Sequence, residues 1–189
     1  MLSKDFLIIL ENSIKNTLSR QKDELFHDEK EFHLKLSIEL NKYMKQKYPL
    51  MRIPIIVEFY DILFYVFEND KFIPEDKTII NSARIDIALF IDNQYFLVEL
   101  KYSAYDELAR DIDYKAGTNK HDIIKGFKAD VKKLEKIKND FSSIESGYCI
   151  LLITSNLIQE LNIQEIEKDL KWKWNEIDSE YSYCIKCIK

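Results

Sequence analysis

Two short segments carry residue types that could do chemistry. In Phe96-Leu97-Val98-Glu99-Leu100-Lys101-Tyr102 an acid and a base stand two residues apart. On a β-strand that spacing puts Glu99 and Lys101 on one face with Leu97, while Val98, Leu100 and Tyr102 take the other. In Arg84-Ile85-Asp86-Ile87-Ala88-Leu89-Phe90 the same alternation groups Arg84, Asp86 and Ala88 against Ile85, Ile87 and Leu89. Two carboxylates close together can hold a hard divalent cation through their oxygens.

The turn between the segments sets how they face. Asp92-Asn93 separates the two apolar runs, and both residues tolerate the positive φ that tight hairpin turns demand. Ile91 then faces Gln94, and stepping outward along both strands brings Asp86 opposite Glu99 and Arg84 opposite Lys101. Directly opposed residues have Cβ atoms about 4.5–5.5 Å apart. Two carboxylates so placed repel unless a cation lies between them. The bland alternative is a solvated strand face, where every second position is polar and Glu-x-Lys is common. An opposed Asp86 in apolar surroundings favours the site.

The elements that must position this hairpin follow from periodicity. Phe6, Leu10, Ile14 and Leu18 recur every four residues, predicting an amphipathic helix over 3–20. Phe32, Leu36, Leu40 and Tyr43 predict a second over about 28–47, ending before Pro49. Residues 53–60 and 62–67 have strand composition, and 69–82, with Pro74, reads as a loop. After the hairpin, 103–121 is polar and without clear period, a loop or loose helix. Ile124, Phe127, Val131, Leu134 and Ile137 then return at helical spacing to about residue 139. Gly147 leads into Tyr148-Cys149-Ile150-Leu151-Leu152-Ile153-Thr154, a continuous apolar run suited to a buried central strand. A helix over about 156–171 and a closing strand complete the chain. The order predicts an α/β fold, a mixed sheet flanked by helices, with a right-handed crossover from the hairpin into the buried strand.

Composition bounds the function without naming it. The 189 residues suit a single domain, and 46% hydrophobic with 32% charged content is that of a globular protein. The start mixes charges into its apolar run, unlike a signal peptide, and no apolar stretch approaches a membrane span, so a cytoplasmic location is expected. Cys184 and Cys187 form a CxxC, but on a strand residues three apart point to opposite faces, poorly placed to share a metal. With 28 basic and 33 acidic residues the net charge is −5, against a broadly basic nucleic-acid coat but compatible with a local groove.

Ile85-Asp86, a turn, then Glu99-Leu100-Lys101 resembles the signature of the PD-(D/E)xK nuclease superfamily, which includes many restriction endonucleases. His27-Asp28-Glu29-Lys30-Glu31-Phe32-His33 resembles the helix motif of an uncharacterised bacterial branch. Phe127, Asp130-Val131 and Leu134-Glu135 look like that branch's post-catalytic helix, and Gly147-Tyr148 through Ile153-Thr154-Ser155-Asn156 like its next strand. The likeness covers residues 25–156, leaving 1–24 as an added N-terminal helical extension. Ile85 stands where the motif has Pro, and His33 where the branch has Gln.

The resemblance implies a restriction-endonuclease-like fold and a Mg²⁺-dependent nuclease, Mn²⁺ substituting, acting on DNA rather than RNA. Asp86 and Glu99, with the Leu100 carbonyl, would hold the ion. Lys101 would position or help deprotonate the attacking water, and Glu29 would complete the acidic cluster or bind a second ion. Otherwise Glu29 is a helix N-terminal carboxylate favoured by the macrodipole. Arg84, Lys125 and Lys128 are candidate phosphate contacts, against the plainer view that Lys125, Lys128, Lys132, Lys133 and Lys136 are a solvated helix face. Asp130, although it matches the branch, and Glu135 read as helix-face charges. His27, His33 and His121 show no zinc spacing. Glu58 is a further strand acid, and Trp172 and Trp174 fit a core or a partner contact. The N-terminal helix offers an interface for a homodimer. Two other functions stay open: a catalytically silent nuclease-fold module used for nucleic-acid binding or protein assembly, and a plain α/β scaffold.

Overall fold

The computed structural model describes residues 3–21, 26–49, 55–57, 65–68, 71–74, 85–103, 120–154, 174–176 and 181–189. Helices α1 (Ser3–Ser19) and α2 (Glu29–Lys47) are followed by strands β1 (Ile55–Val57), β2 (Tyr65–Glu68) and β3 (Lys71–Pro74). Then come β4 (Ile87–Ile91), β5 (Gln94–Ser103), helix α3 (Lys120–Asp140), β6 (Ile144–Thr154), β7 (Trp174–Glu176) and β8 (Tyr181–Ile188). The sheet has six strands in the order β1-β4-β5-β6-β8-β7. Among the described strands only β5 and β6 run parallel, and the connection between them carries α3, as a parallel pair requires. This is the mixed α/β architecture that the periodicity predicts.

The hairpin obeys its turn residues. Asp92 and Asn93 have φ of 53° and 63°, positive at both central positions, as a two-residue type I′ turn needs. Ile91 pairs with Gln94 and the ladder runs outward to Ile87 with Val98. β6, parallel to β5, sits inside the sheet between β5 and β8, which accounts for its unbroken apolar sequence.

Each sheet face is covered by its own helices. On one, Phe6, Leu10, Ile14 and Leu18 of α1 and Phe32, Leu36, Leu40 and Met44 of α2 are buried against Ile87, Leu89, Phe96, Val98, Leu100 and Tyr148. The Phe6 ring lies 5.0 Å from that of Phe96 and 5.1 Å from that of Tyr148. The N-terminal helix thus spends its apolar stripe inside the molecule, on the two central strands. On the other face Ile123, Phe127, Val131 and Leu134 of α3 pack on Leu97, Cys149, Leu151 and Cys184. Here Gly147 matters: a Cβ at that position would stand 3.0 Å from Leu134 Cδ1, so its absence lets α3 lie close to β6.

Some expectations change. Residues 71–74, within the predicted loop 69–82, form β3 and pair with β2 as a separate hairpin. Pro74 is compatible with this because it closes the strand, where a missing N–H breaks no interior ladder. Helix α3 begins at Lys120, before the start that its apolar period suggests. Trp174 opens β7, an additional strand on the sheet edge. Glu58, Trp172, the predicted helix 156–171 and most of 103–121 lie outside the described residues. Cys184 and Cys187 do pack on opposite faces, Cys184 with the α3 side and Cys187 against the α1–α2 side. Among the described residues no helix is long and apolar enough to cross a membrane.

Candidate functional site

The site begins where β4 stops pairing. The β4–β5 ladder ends at Ile87 and Val98, and Asp86 lies in a bend just before the strand. Its carboxylate does what backbone would have done: the Leu100 N–H donates to Asp86 Oδ2 at 2.7 Å. This corrects the simple alternation expected for residues 84–89. Ile85 packs in the α3-side cluster, away from the face that Ile87 and Leu89 share. Asp86 is therefore a side-chain closure on the edge of β5, and the ladder does not extend to pair it with Glu99. The two carboxylates are nevertheless electrostatically coupled. Burial pushes Glu99 well above the usual carboxylate range, and the nearby charge of Asp86 pushes it further.

One amide further along the same edge, Glu29 repeats the device. The Tyr102 N–H donates to Glu29 Oε2 at 3.1 Å. Alternate residues of a strand turn N–H and C=O to the same edge, so the Leu100 carbonyl faces the side on which these carboxylates sit. Helix α2 delivers Glu29 by its N-terminal turn. Asp28, extended, caps the helix by accepting from the Glu31 N–H at 2.9 Å, and Glu31 Oε2 accepts from the His27 N–H at 2.8 Å. Glu29 is the first helical residue, where the macrodipole favours a carboxylate. Burial still raises its pKa, against the lowering influence of Lys101.

Helix α3 forms the opposite wall. Gly126, Asp130 and Lys133 lie at i, i+4 and i+7, beside the buried stripe that packs on the sheet. Lys101 stretches along β5 to this wall, its Cε 3.6 Å from where a Cβ of Gly126 would be. Lys101 Nζ stands 3.5 Å from Glu29 Oε1 and 3.5 Å from Asp130 Oδ2. Burial pulls the Lys101 pKa down, but Glu29, Asp130, Asp86 and Glu99 together outweigh it, and the ammonium is held above its ordinary value. Lys133 Nζ reaches Glu99 Oε1 at 2.6 Å and lies 3.7 Å from Asp130 Oδ1. Glu99 itself is only 3% exposed. Behind it on β6 is Cys149, a thiol pushed up by burial first and by the Glu99 charge second.

Sequence reasoning brought together Asp86, Glu99, Lys101 and Glu29, and these four do converge. It set aside three others. Asp130 and Lys133 are members of the site, not of a solvated helix face; the signal was their i, i+3 spacing beside the buried positions Phe127, Val131 and Leu134. His33 is buried on α2 with Nε2 3.8 Å from Asp86 Oδ1, and so joins the same charged cluster from the α2 side. Its position one turn beyond Glu29 could have found it. Lys125 is exposed on α3 and Lys128 half-buried. Arg84 and the His121 side chain lie outside the described residues.

Among the described residues no group of three or more His, Cys, Asp or Glu side chains is arranged to hold a metal. A magnesium site does not need three: the ion commonly takes one or two carboxylates, keeps several waters and accepts backbone oxygens. Asp86, Glu99 and the Leu100 carbonyl are the donors that could form such a smaller set. Charge bears on it too: among the described residues Glu29, Glu99 and Asp130 are met by the ammonium groups of Lys101 and Lys133, and Asp86 by the His33 ring. Compared with protein-family models, curated proteins and solved structures, the chain matches none.

Proposed function

We propose that the chain is a Mg²⁺-dependent nuclease of the PD-(D/E)xK type, with a restriction-endonuclease-like core, hydrolysing phosphodiester bonds, DNA favoured over RNA. One observation carries the reading. The Asp86 carboxylate replaces the missing ladder partner of Leu100 beside a buried Glu99, and Lys101 follows two residues on. This gathers two carboxylates, one backbone carbonyl and one ammonium at a single strand edge. Asp86, Glu99 and the Leu100 carbonyl would hold the ion, which supplies polarisation of the scissile phosphate and a lowered pKa for the attacking water. The chain's own contribution is positional. Lys101, tethered between Glu29 and Asp130 and protonated, orients the water and offsets charge on the phosphate; its raised pKa suits an electrostatic role better than that of a base. Glu29 holds Lys101 and completes the acidic cluster. Lys125, on the exposed side of α3, is available to a phosphate backbone.

Cleavage of plasmid, linear and single-stranded DNA with Mg²⁺ or Mn²⁺, beside Lys101→Ala and Asp86→Asn, tests this. Loss of about 10²–10³ in rate for each variant is expected. Equal cleavage by the variants assigns the activity to another site or a contaminant. A second reading, a catalytically silent module that binds nucleic acid or supports assembly, is favoured by the Lys133 ammonium already seated on Glu99. DNA binding without cleavage by any form would select it.

A further inference from the structure

Glu99 is the most deeply buried acid of the site, and its carboxylate is already in contact with a cation. That cation is Lys133, whose ammonium stands 2.6 Å from Oε1. A divalent ion bound to the same carboxylate would bring two positive charges against this one at a separation of a few ångströms, with little water between them. The two cannot both be held well. Lys133 also has somewhere to go. Asp130, one turn back on α3, has Oδ1 3.7 Å from the same Nζ, and the Lys133 side chain is 24% exposed while that of Glu99 is 3% exposed.

We infer that Lys133 is a built-in counter-ion for Glu99, displaced onto Asp130 when a divalent cation binds. The inference rests on the metal-site reading above and adds its regulation: the chain carries a tethered competitor for its own ion. Among the described residues the groups that act on Glu99 fit the arrangement. From the β4 side comes Asp86, a like charge; from β6 comes the uncharged Cys149; and α3 contributes Asp130 and Lys133. Lys133 is therefore the cation in contact with Glu99 among the described residues, since Lys101 is drawn to Glu29 and Asp130. Its removal leaves the acidic cluster with Lys101 as the counter-charge and raises its demand for a metal. An arginine in its place would grip Glu99 through a planar fork and resist displacement.

Calorimetric titration of Mn²⁺ into the wild-type chain, Lys133→Gln, Lys133→Arg and Asp86→Asn separates the possibilities without any measurement of cleavage. Lys133→Gln should bind Mn²⁺ about tenfold more tightly than wild type or better, and Lys133→Arg more weakly. A side chain that merely supported the helix would move both variants in the same direction. If wild type binds Mn²⁺ in an Asp86-dependent way and Lys133→Gln binds no tighter, the counter-ion role fails and the metal site stands. If no form binds Mn²⁺, or if binding survives Asp86→Asn, the metal-site reading itself fails and takes this inference with it. Thermal melts of the four proteins under chelation check that each is folded, and a weaker Lys133→Arg upholds the role only together with a tighter Lys133→Gln.

Discussion

The two faces of β5 are built from different kinds of energy. On the α1–α2 side Phe96, Val98 and Leu100 are fully buried among apolar side chains, and no charge interrupts them. On the α3 side Leu97 is equally buried, but two residues on the strand presents Glu99 and then Lys101, met by Asp130 and Lys133. The backbone is shared, so position along one strand decides which role a residue has. Near the turn both faces are core. Beyond the end of β4 the edge loses its ladder partner, and carboxylates from a bend and from a helix N-terminus take its place. Burying hydrocarbon stabilises; burying carboxylates with raised pKa values does the reverse at neutral pH. The apolar face must offset the ionic one.

If so, the two faces respond to substitution with opposite signs. Phe96→Ala removes a ring in contact with Phe6 at the centre of the apolar face and should cost about 3–5 kcal/mol in denaturant unfolding, with metal affinity of the folded fraction kept. A loss below about 1 kcal/mol would mean that α1 contributes little to the core. Glu99→Gln acts on the other face. It removes a buried charge and leaves Lys133, which is partly exposed and still beside Asp130. The metal-free protein should gain about 1 kcal/mol while its divalent-cation binding is lost. A Glu99→Gln protein less stable than wild type under chelation would show that the Lys133 ion pair outweighs the burial of its carboxylate.

The same contrast explains what could be read from sequence. The apolar face was legible because periodicity and burial are one signal: Phe6, Leu10, Ile14 and Leu18 declare both the helix and its buried side. The hairpin was legible because Asp92-Asn93 restricts the turn, and the turn sets the register from Ile91 to Ile87. The site was legible only where spacing is local. Glu99 and Lys101 follow from strand alternation, but Asp86 departs from it, since its side chain closes the edge of β5 and Ile85 turns to the α3 side. Asp130, Lys133 and His33 depend on how α2 and α3 dock on the sheet, which a helical period does not encode beyond which stripe is apolar. A charged residue flanking that stripe looks the same whether it meets water or a carboxylate.

The smallest effect is also the one with a sign that ordinary acid denaturation would not give. Burial raises Glu99, Asp86 and Glu29 above their usual values, so the folded chain binds these protons more tightly than the unfolded chain. Their contribution to stability is fully present below the unfolded pKa values near 4 and is lost as pH rises through the raised folded ones. Glu31 opposes this, because its bonds to Lys35 and the His27 N–H lower its pKa, but that contribution is already complete above the ordinary glutamate value of 4.5. From about pH 4.5 toward neutrality the carboxylate cluster therefore makes the metal-free protein progressively less stable, until the raised folded values are passed. A divalent cation should reverse the trend, since it binds the ionised forms and releases their protons. Melting temperature followed from pH 4.5 to 7.5, in chelator and then in excess Mg²⁺, reads both slopes, and Asp86→Asn should flatten both. A chelated protein that grows more stable over this range would mean that the cluster is ionised at no cost when folded, with Lys101 and Lys133 sufficient for all four acids and no charge left for a metal to neutralise.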